Sequence, residues 1–108
     1  MAKKKNEMSK EELEISRIRL PGEGELLAVV EEMLGGDRLR AQCDDGKERI
    51  CRIPGKLRKR VWIRPGDLIL IKPWSIQGDK RADVVFRYTF TQANWIKRKG
   101  YVKNIQIE

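Results

Sequence analysis

The segment from Arg52 to Arg64 carries Arg52, Lys56, Arg58, Lys59, Arg60 and Arg64 and no acidic residue. Cations this close repel one another, so a chain that keeps them together needs open solvent or a polyanion in front of them. Gly55 permits close backbone approach, and Trp62 offers a flat ring beside the charges, the combination with which proteins hold single-stranded nucleic acid. The chemistry expected is phosphate neutralisation with base stacking; a merely solvated connection is the alternative. Arg38 and Arg40 alternate with apolar residues on a predicted strand, on the same face as Arg52, and extend the basic surface. Arg40 and Arg52 are expected to line one groove. Trp74 follows Lys72 as Trp62 follows Arg60, and for both indoles stacking on a base and packing in the core are equally open. Trp95 lies near the stripe of a predicted helix and is expected to pack. Arg81 and Arg87, near the rim of the predicted barrel, complete the candidate RNA-binding set.

Bond-making chemistry has little to work with. The chain contains no histidine, which removes the commonest general base and the commonest zinc ligand. Cys43 and Cys51 are too few for a four-thiolate site and lack the spacing of a redox pair. Glu31 and Glu32 are successive strand residues expected to face opposite ways, and Asp44-Asp45 sit in a turn where they cap amides. No catalytic residue, metal site or cofactor is expected. With Lys plus Arg at 24 against Asp plus Glu at 16, the formal net charge is +8, which favours a polyanionic partner. The Lys, Arg and Glu content without histidine resembles a heat-adapted composition.

The elements that must position these side chains fit one domain, since the chain has 108 residues. No apolar run approaches the roughly 20 residues of a membrane span, and Lys3-Lys4-Lys5 is followed by no signal-type stretch. A soluble, intracellular, cytoplasmic monomer is expected. Residues 1–20 mix Lys and Arg with Glu7, Glu11, Glu12 and Glu14 without regular apolar spacing, and read as a mobile basic arm. Pro21-Gly22 then opens a region of short apolar runs between turn signals, predicting strands over 25–34, 38–43, 47–53, 67–72 and 82–88. A short helix or single turn is expected within the basic run. On the last strand Val84, Phe86 and Tyr88 are expected on one side and Asp83, Val85 and Arg87 on the other.

Register can be argued for one hairpin. A three-residue loop at Asp44-Asp45-Gly46, with Gly46 left-handed, sets Leu39 opposite Cys51 and gathers Leu39, Ala41, Cys43, Cys51 and Ile53 on one face. The two thiols then lie roughly 13 Å apart along the hairpin, too far for a disulfide. From Thr89 the period changes: Thr89 and Gln92 have capping-box spacing, Phe90, Ala93 and Ile96 form a stripe, and Gly100 stops a helix over 90–99. Tyr101 and Val102 are expected to fold back on the barrel. All-β segments 21–88 with a C-terminal helix and tail over 89–108 match a five-stranded Greek-key barrel of the OB-fold type.

Specific residues carry a resemblance. Gly24-Glu25, Val29 through Gly35, Asp37-Arg38-Leu39-Arg40, Asp45-Gly46-Lys47, the run Arg52-Ile53-Pro54-Gly55-Lys56 through Trp62-Ile63, and Gly66-Asp67 through Lys72-Pro73-Trp74 closely resemble translation initiation factor 1A of archaea and eukaryotes. The resemblance covers most of residues 22–100. It implies an OB-fold factor that binds small-subunit RNA at the aminoacyl-tRNA site of the ribosome and promotes initiator-tRNA and mRNA binding with other initiation factors. It places the RNA-contacting loop on Lys56, Arg58, Lys59, Arg60 and Trp62. The chain ends without the long acidic tail of eukaryotic members, which points to the archaeal branch. A generic single-stranded RNA chaperone, and a protein-interaction module docking through the C-terminal helix, are the competing readings.

Overall fold

The computed structural model describes residues 9–105. Their elements are α1 (Lys10–Ser16), β1 (Leu26–Gly35), β2 (Arg38–Cys43), β3 (Glu48–Arg52), α2 (Gly55–Arg58), β4 (Leu68–Pro73), β5 (Arg81–Arg87) and α3 (Phe90–Lys99). The strands close in the order β1-β2-β3-β5-β4, with β1 returning to β4. All pairings are antiparallel except β3 with β5. That order and the one parallel pair make the barrel an OB-fold.

The β2–β3 hairpin forms as its alternation dictates. Leu39 lies opposite Cys51, Cys43 N–H donates to the Lys47 carbonyl at 2.8 Å, and Gly46 holds φ +86°, a conformation that costs a Cβ-bearing residue about 1 kcal/mol or more. Both cysteines are free and fully buried. Burial raises the Cys43 thiol and pushes Cys51 up to about 12, so neither is a thiolate nucleophile at neutral pH. Arg49 shares this inward face at 4% exposure. Its Nη1 and Nη2 donate to the two carboxylate oxygens of Asp45 at 3.0 and 2.8 Å, and its Nε donates to the Gly78 carbonyl at 2.6 Å. The guanidinium hydrogen bonds hold the Asp45 carboxyl below its ordinary value.

Two apolar clusters divide the core. One fills the barrel with Ala28, Val30, Leu39, Cys51, Ile69, Ile71 and Val84; the other lies outside it, where Leu27, Leu68 and Leu70 meet Tyr88, Ala93, Ile96 and Ile105. β4 therefore buries both faces, Ile69 and Ile71 inward, Leu68 and Leu70 under α3, which is why its sequence is continuously apolar. Truncating Leu70 to Ala costs about 2 to 5 kcal/mol and loosens α3 from the barrel. α3 itself begins with the expected capping box: Thr89 accepts from Gln92 N–H, and Gln92 reciprocates. Gly100 closes it at φ +77°. Trp95 packs in the outer cluster as expected. Tyr101 stacks on Trp95 at 5.8 Å rather than on the barrel, while Val102 does turn back against the outer cluster.

Four expectations need correction. Residues 10–16 of the expected mobile arm form α1, because Ser9 and Glu12 make a second capping box. Glu14 then fastens it to α3: its carboxylate accepts from the Thr89 hydroxyl at 2.5 Å and its carbonyl from Gln92 Nε2 at 2.8 Å. The Tyr88 hydroxyl donates to the Arg19 carbonyl, so the chain is held up to β1. Residues 1–8 of that arm lie outside the described residues. A bulge at Glu31, between the pairs Val30 with Ala41 and Glu32 with Arg40, breaks the alternation, so Glu31 and Glu32 do not face opposite ways. A bulge at Val85, between Leu70 opposite Phe86 and Ile71 opposite Val84, does the same on β5. Val84 points into the barrel, whereas Phe86 and Tyr88 join the outer cluster. Asp45 caps its turn by accepting from Lys47 N–H, but Asp44 accepts from Lys103 and Asn104 N–H and so anchors the C-terminal tail.

Candidate nucleic-acid interface

The basic run is organised by its apolar residues. Leu57 and Val61, four apart, lie on the barrel cluster, and Ile63 is buried beside them. With that face pinned down, the charged and aromatic side chains of the run divide between two depressions. Lys56 and Arg60 border one depression, while Arg58 and Trp62 border another together with Arg64. One segment thus serves two grooves.

The larger groove, about 990 Å³, runs across β3, β5 and β4. Arg52, Lys56, Arg60, Lys72 and Arg87 surround it, and Leu57, Val61, Pro73, Trp74, Ile76, Val85 and Phe86 supply apolar surface. Asp83 is the one acid lining it. Arg87 Nε is buried and has no hydrogen-bond partner among the described residues, so that guanidinium carries an unused donor. Trp74 is 39% exposed and Ile76 77% exposed. An apolar floor inside a cationic rim suits a strand whose bases stack while its phosphates meet the rim.

The smaller groove, about 380 Å³, lies against the β1–β2 turn and is lined by Met33, Gly36, Ile53, Arg58, Val61, Trp62, Ile63 and Arg64. Trp62 is 78% exposed, which settles its choice between core and surface: it is a surface ring. An indole this bare is costly to leave in water and suits a stacking partner.

The candidate residues therefore separate. Arg52, Lys56, Arg60, Trp74 and Arg87 share the larger groove, and Arg58, Trp62 and Arg64 the smaller; Arg38, Lys59 and Arg81 line neither. Arg38 stays close by, since it pairs with Arg52 across β2 and β3. Arg40 is a correction. It does not line a groove with Arg52 but faces Glu31 at 3.7 Å, Glu48 at 3.8 Å and, more closely, Glu32. The bulge brings both neighbouring glutamates to the same guanidinium, where three carboxylates outnumber it. Hydrogen bonding to Glu48, followed by desolvation, raises the Glu31 carboxyl, as crowded like charges must.

Sequence reasoning overlooked Ile76, Asp83 and Phe86 as groove residues and had Lys72 only as the cation beside Trp74. Phe86 was hidden by the bulge. Asp83 needed the parallel β3–β5 pairing, which sets it beside Arg52, and that pairing follows only from the closed topology. Among the described residues no group of three or more Cys, Asp or Glu is placed to hold a metal ion, and no helix is long and apolar enough to cross a membrane.

Comparison with known proteins adds independent findings. The family model described as "Translation initiation factor 1A / IF-1" matches residues 15–108. Translation initiation factor 1A of Methanopyrus kandleri is 60% identical over 86 residues, covering 80% of this chain and 77% of that protein. The factors of the same name from Pyrococcus abyssi and Archaeoglobus fulgidus are each 52% identical over 98 residues, covering 91% and 89% of this chain and 87% and 99% of theirs. The solution structure of translation initiation factor IF-1 from the wolbachia endosymbiont strain TRS of Brugia malayi is similar at a TM-score of 0.48 and 24% identity, covering 67% of this chain and 85% of that one. The family match spans both grooves, the barrel and α3, and on that extent the chain belongs to the translation initiation factor 1A / IF-1 family.

Proposed function

We propose that this member of an initiation-factor family acts by seating its two grooves on the RNA of the small ribosomal subunit at the aminoacyl-tRNA site. From there it promotes binding of initiator tRNA and mRNA together with other initiation factors. The observation that carries the reading is the rim of Arg52, Lys56, Arg60, Lys72 and Arg87 around an apolar floor, with Trp62 bare on the neighbouring groove. No bond is made or broken in this mechanism. Each phosphate met by a Lys or Arg releases condensed counterions, and each base laid on an indole adds about 1 to 3 kcal/mol. A monomer suffices, because one chain carries both grooves.

Footprinting of small-subunit RNA tests this reading. Wild-type protein is expected to protect the decoding region, and a Lys56→Ala/Arg60→Ala variant to lose that protection while remaining folded. Equal affinity for whole subunits and for free single-stranded RNA would replace this reading with that of a generic RNA chaperone. One observation favours an additional docking role for α3: Phe90 is 75% exposed beside Thr91, Asn94 and Arg98 on an open depression. If a protein partner docks there, Phe90→Ala abolishes cross-linking to a translation GTPase and leaves subunit binding intact.

A further inference from the structure

Asp83 is out of place by charge. Its parallel partner across the β3–β5 pair is Arg52, and its antiparallel partner across β4–β5 is Lys72, so the sheet sets one carboxylate between two cations of the groove. Simple electrostatics would make it a liability, since an anion here repels the phosphates that the rim attracts. Its contacts point elsewhere. Asp83 Oδ1 accepts from Trp74 Nε1–H at 3.1 Å and lies 3.9 Å from Arg52 Nε. Trp74 directly follows β4, and its backbone N–H donates to the Arg81 carbonyl at 3.0 Å. Main chain and indole edge are thus both fastened to β5, although the ring is 39% exposed.

We infer that Asp83 is the positioning residue of the larger groove: it holds the Trp74 ring by its N–H edge, and the Arg52 guanidinium beside it, so that both meet an incoming RNA strand already oriented. A free indole after a strand end samples several rotamers, and ordering it on binding subtracts from the affinity it offers. The carboxylate removes that cost beforehand, and the local gain outweighs its repulsion of phosphate. This inference rests on the RNA-binding reading of the groove.

The two explanations of Asp83 predict opposite signs. Affinity for purified small ribosomal subunits is measured across a salt series for wild type, Asp83→Ala, Asp83→Asn and Lys56→Ala/Arg60→Ala. Emission of the free protein is recorded in a chain carrying Trp62→Phe and Trp95→Phe, in which Trp74 alone reports. Asp83→Ala makes the chain more positive, yet is expected to weaken binding by about fivefold or more, the lower end of what a base on an aromatic ring is worth. Asp83→Asn, whose carbonyl still accepts the indole N–H, is expected to stay within about twofold of wild type, as befits loss of an exposed ion pair. Trp74 emission should shift to the red and become easier to quench in Asp83→Ala and not in Asp83→Asn. Asp83→Ala binding as tightly as wild type, or tighter, overturns the inference, as does an equal loss in both variants. If Lys56→Ala/Arg60→Ala also binds like wild type, the groove is not the RNA face, and the inference falls with that reading; a loss there combined with none in Asp83→Ala removes the positioning role alone.

Discussion

Two outer faces of this barrel begin from similar sequence and end with opposite electrostatics. On the face of β3, β5 and β4, five cations ring an apolar groove with Asp83 as its one acid. On the face of β1, β2 and β3, Arg40 is met by Glu31, Glu32 and Glu48. Arg40 and Arg52 both alternate with apolar residues in strands of the same hairpin, and neither charge nor spacing tells them apart. What separates them is one inserted residue, Glu31, which turns a second carboxylate toward Arg40. A basic strand residue is available to phosphate only if its cross-strand neighbours leave it so.

The largest effect is expected at the bare aromatic of the smaller groove, which shares the basic run with the larger one. Trp62→Ala is expected to weaken subunit binding by about 1 to 3 kcal/mol and leave the melting temperature nearly unchanged, because the ring is 78% exposed. A mutant melting far below wild type would show that the indole holds the fold. Next come the charges: Lys56→Ala and Arg60→Ala are each expected to lower the log–log salt slope of binding by about 0.7 to 0.9, read from a salt titration. Lys59, which lines neither groove, serves as the neighbouring control, and an equal loss at Lys59→Ala would mean that net charge, not groove geometry, governs affinity. Arg40→Ala is expected to change subunit affinity by less than about twofold, since exposed ion pairs contribute little and the arginine is already neutralised.

The smallest effect is a pH dependence on the acidic side. The folded Glu31 carboxyl titrates above its ordinary value, so its contribution to stability is fully present below about 4.5 and is lost as pH rises through the raised value. Glu31→Gln should therefore melt slightly above wild type at neutral pH, with the gap closing as pH falls toward 4. Asp45 runs the other way. Lowered by Arg49, it contributes above about 3.8, and that contribution disappears as pH falls through the depressed value. A Glu31→Gln gap that widens on acidification would contradict the assignment of repulsion to this cluster.

Local rules made much of this legible. The Gly46 turn and the alternation from Leu39 to Ile53 determine the β2–β3 register, and Thr89 with Gln92 determines where α3 starts. Lys56, Arg60 and Trp62 stand out by charge and type alone. The losses have physical causes. Ser9 and Glu12 have the same capping spacing as Thr89 and Gln92, but α1 depends on Glu14 reaching α3, a contact between distant segments. Glu31 and Val85 each invert side-chain parity, and a bulge leaves no mark in a hydrophobic pattern. Arg49 could have been found: it shares parity with Cys51 and Ile53 and stands four residues after Asp45, so a buried bidentate pair was implied by the register already chosen.

The parallel pairing of β3 with β5 carries a consequence for synthesis. Hairpins such as β2–β3 can form as soon as they leave the ribosome, but the larger groove draws on β3, α2, β4 and β5 together and closes only when β5 docks between β3 and β4. Loop closure over so long a stretch is the slow, late step expected of such topologies. Until then Arg52 lacks Asp83 beside it, and Arg87 has not joined the groove that the two arginines line. On the RNA-binding reading proposed for this groove, the chain gains that surface only after its own translation has passed β5.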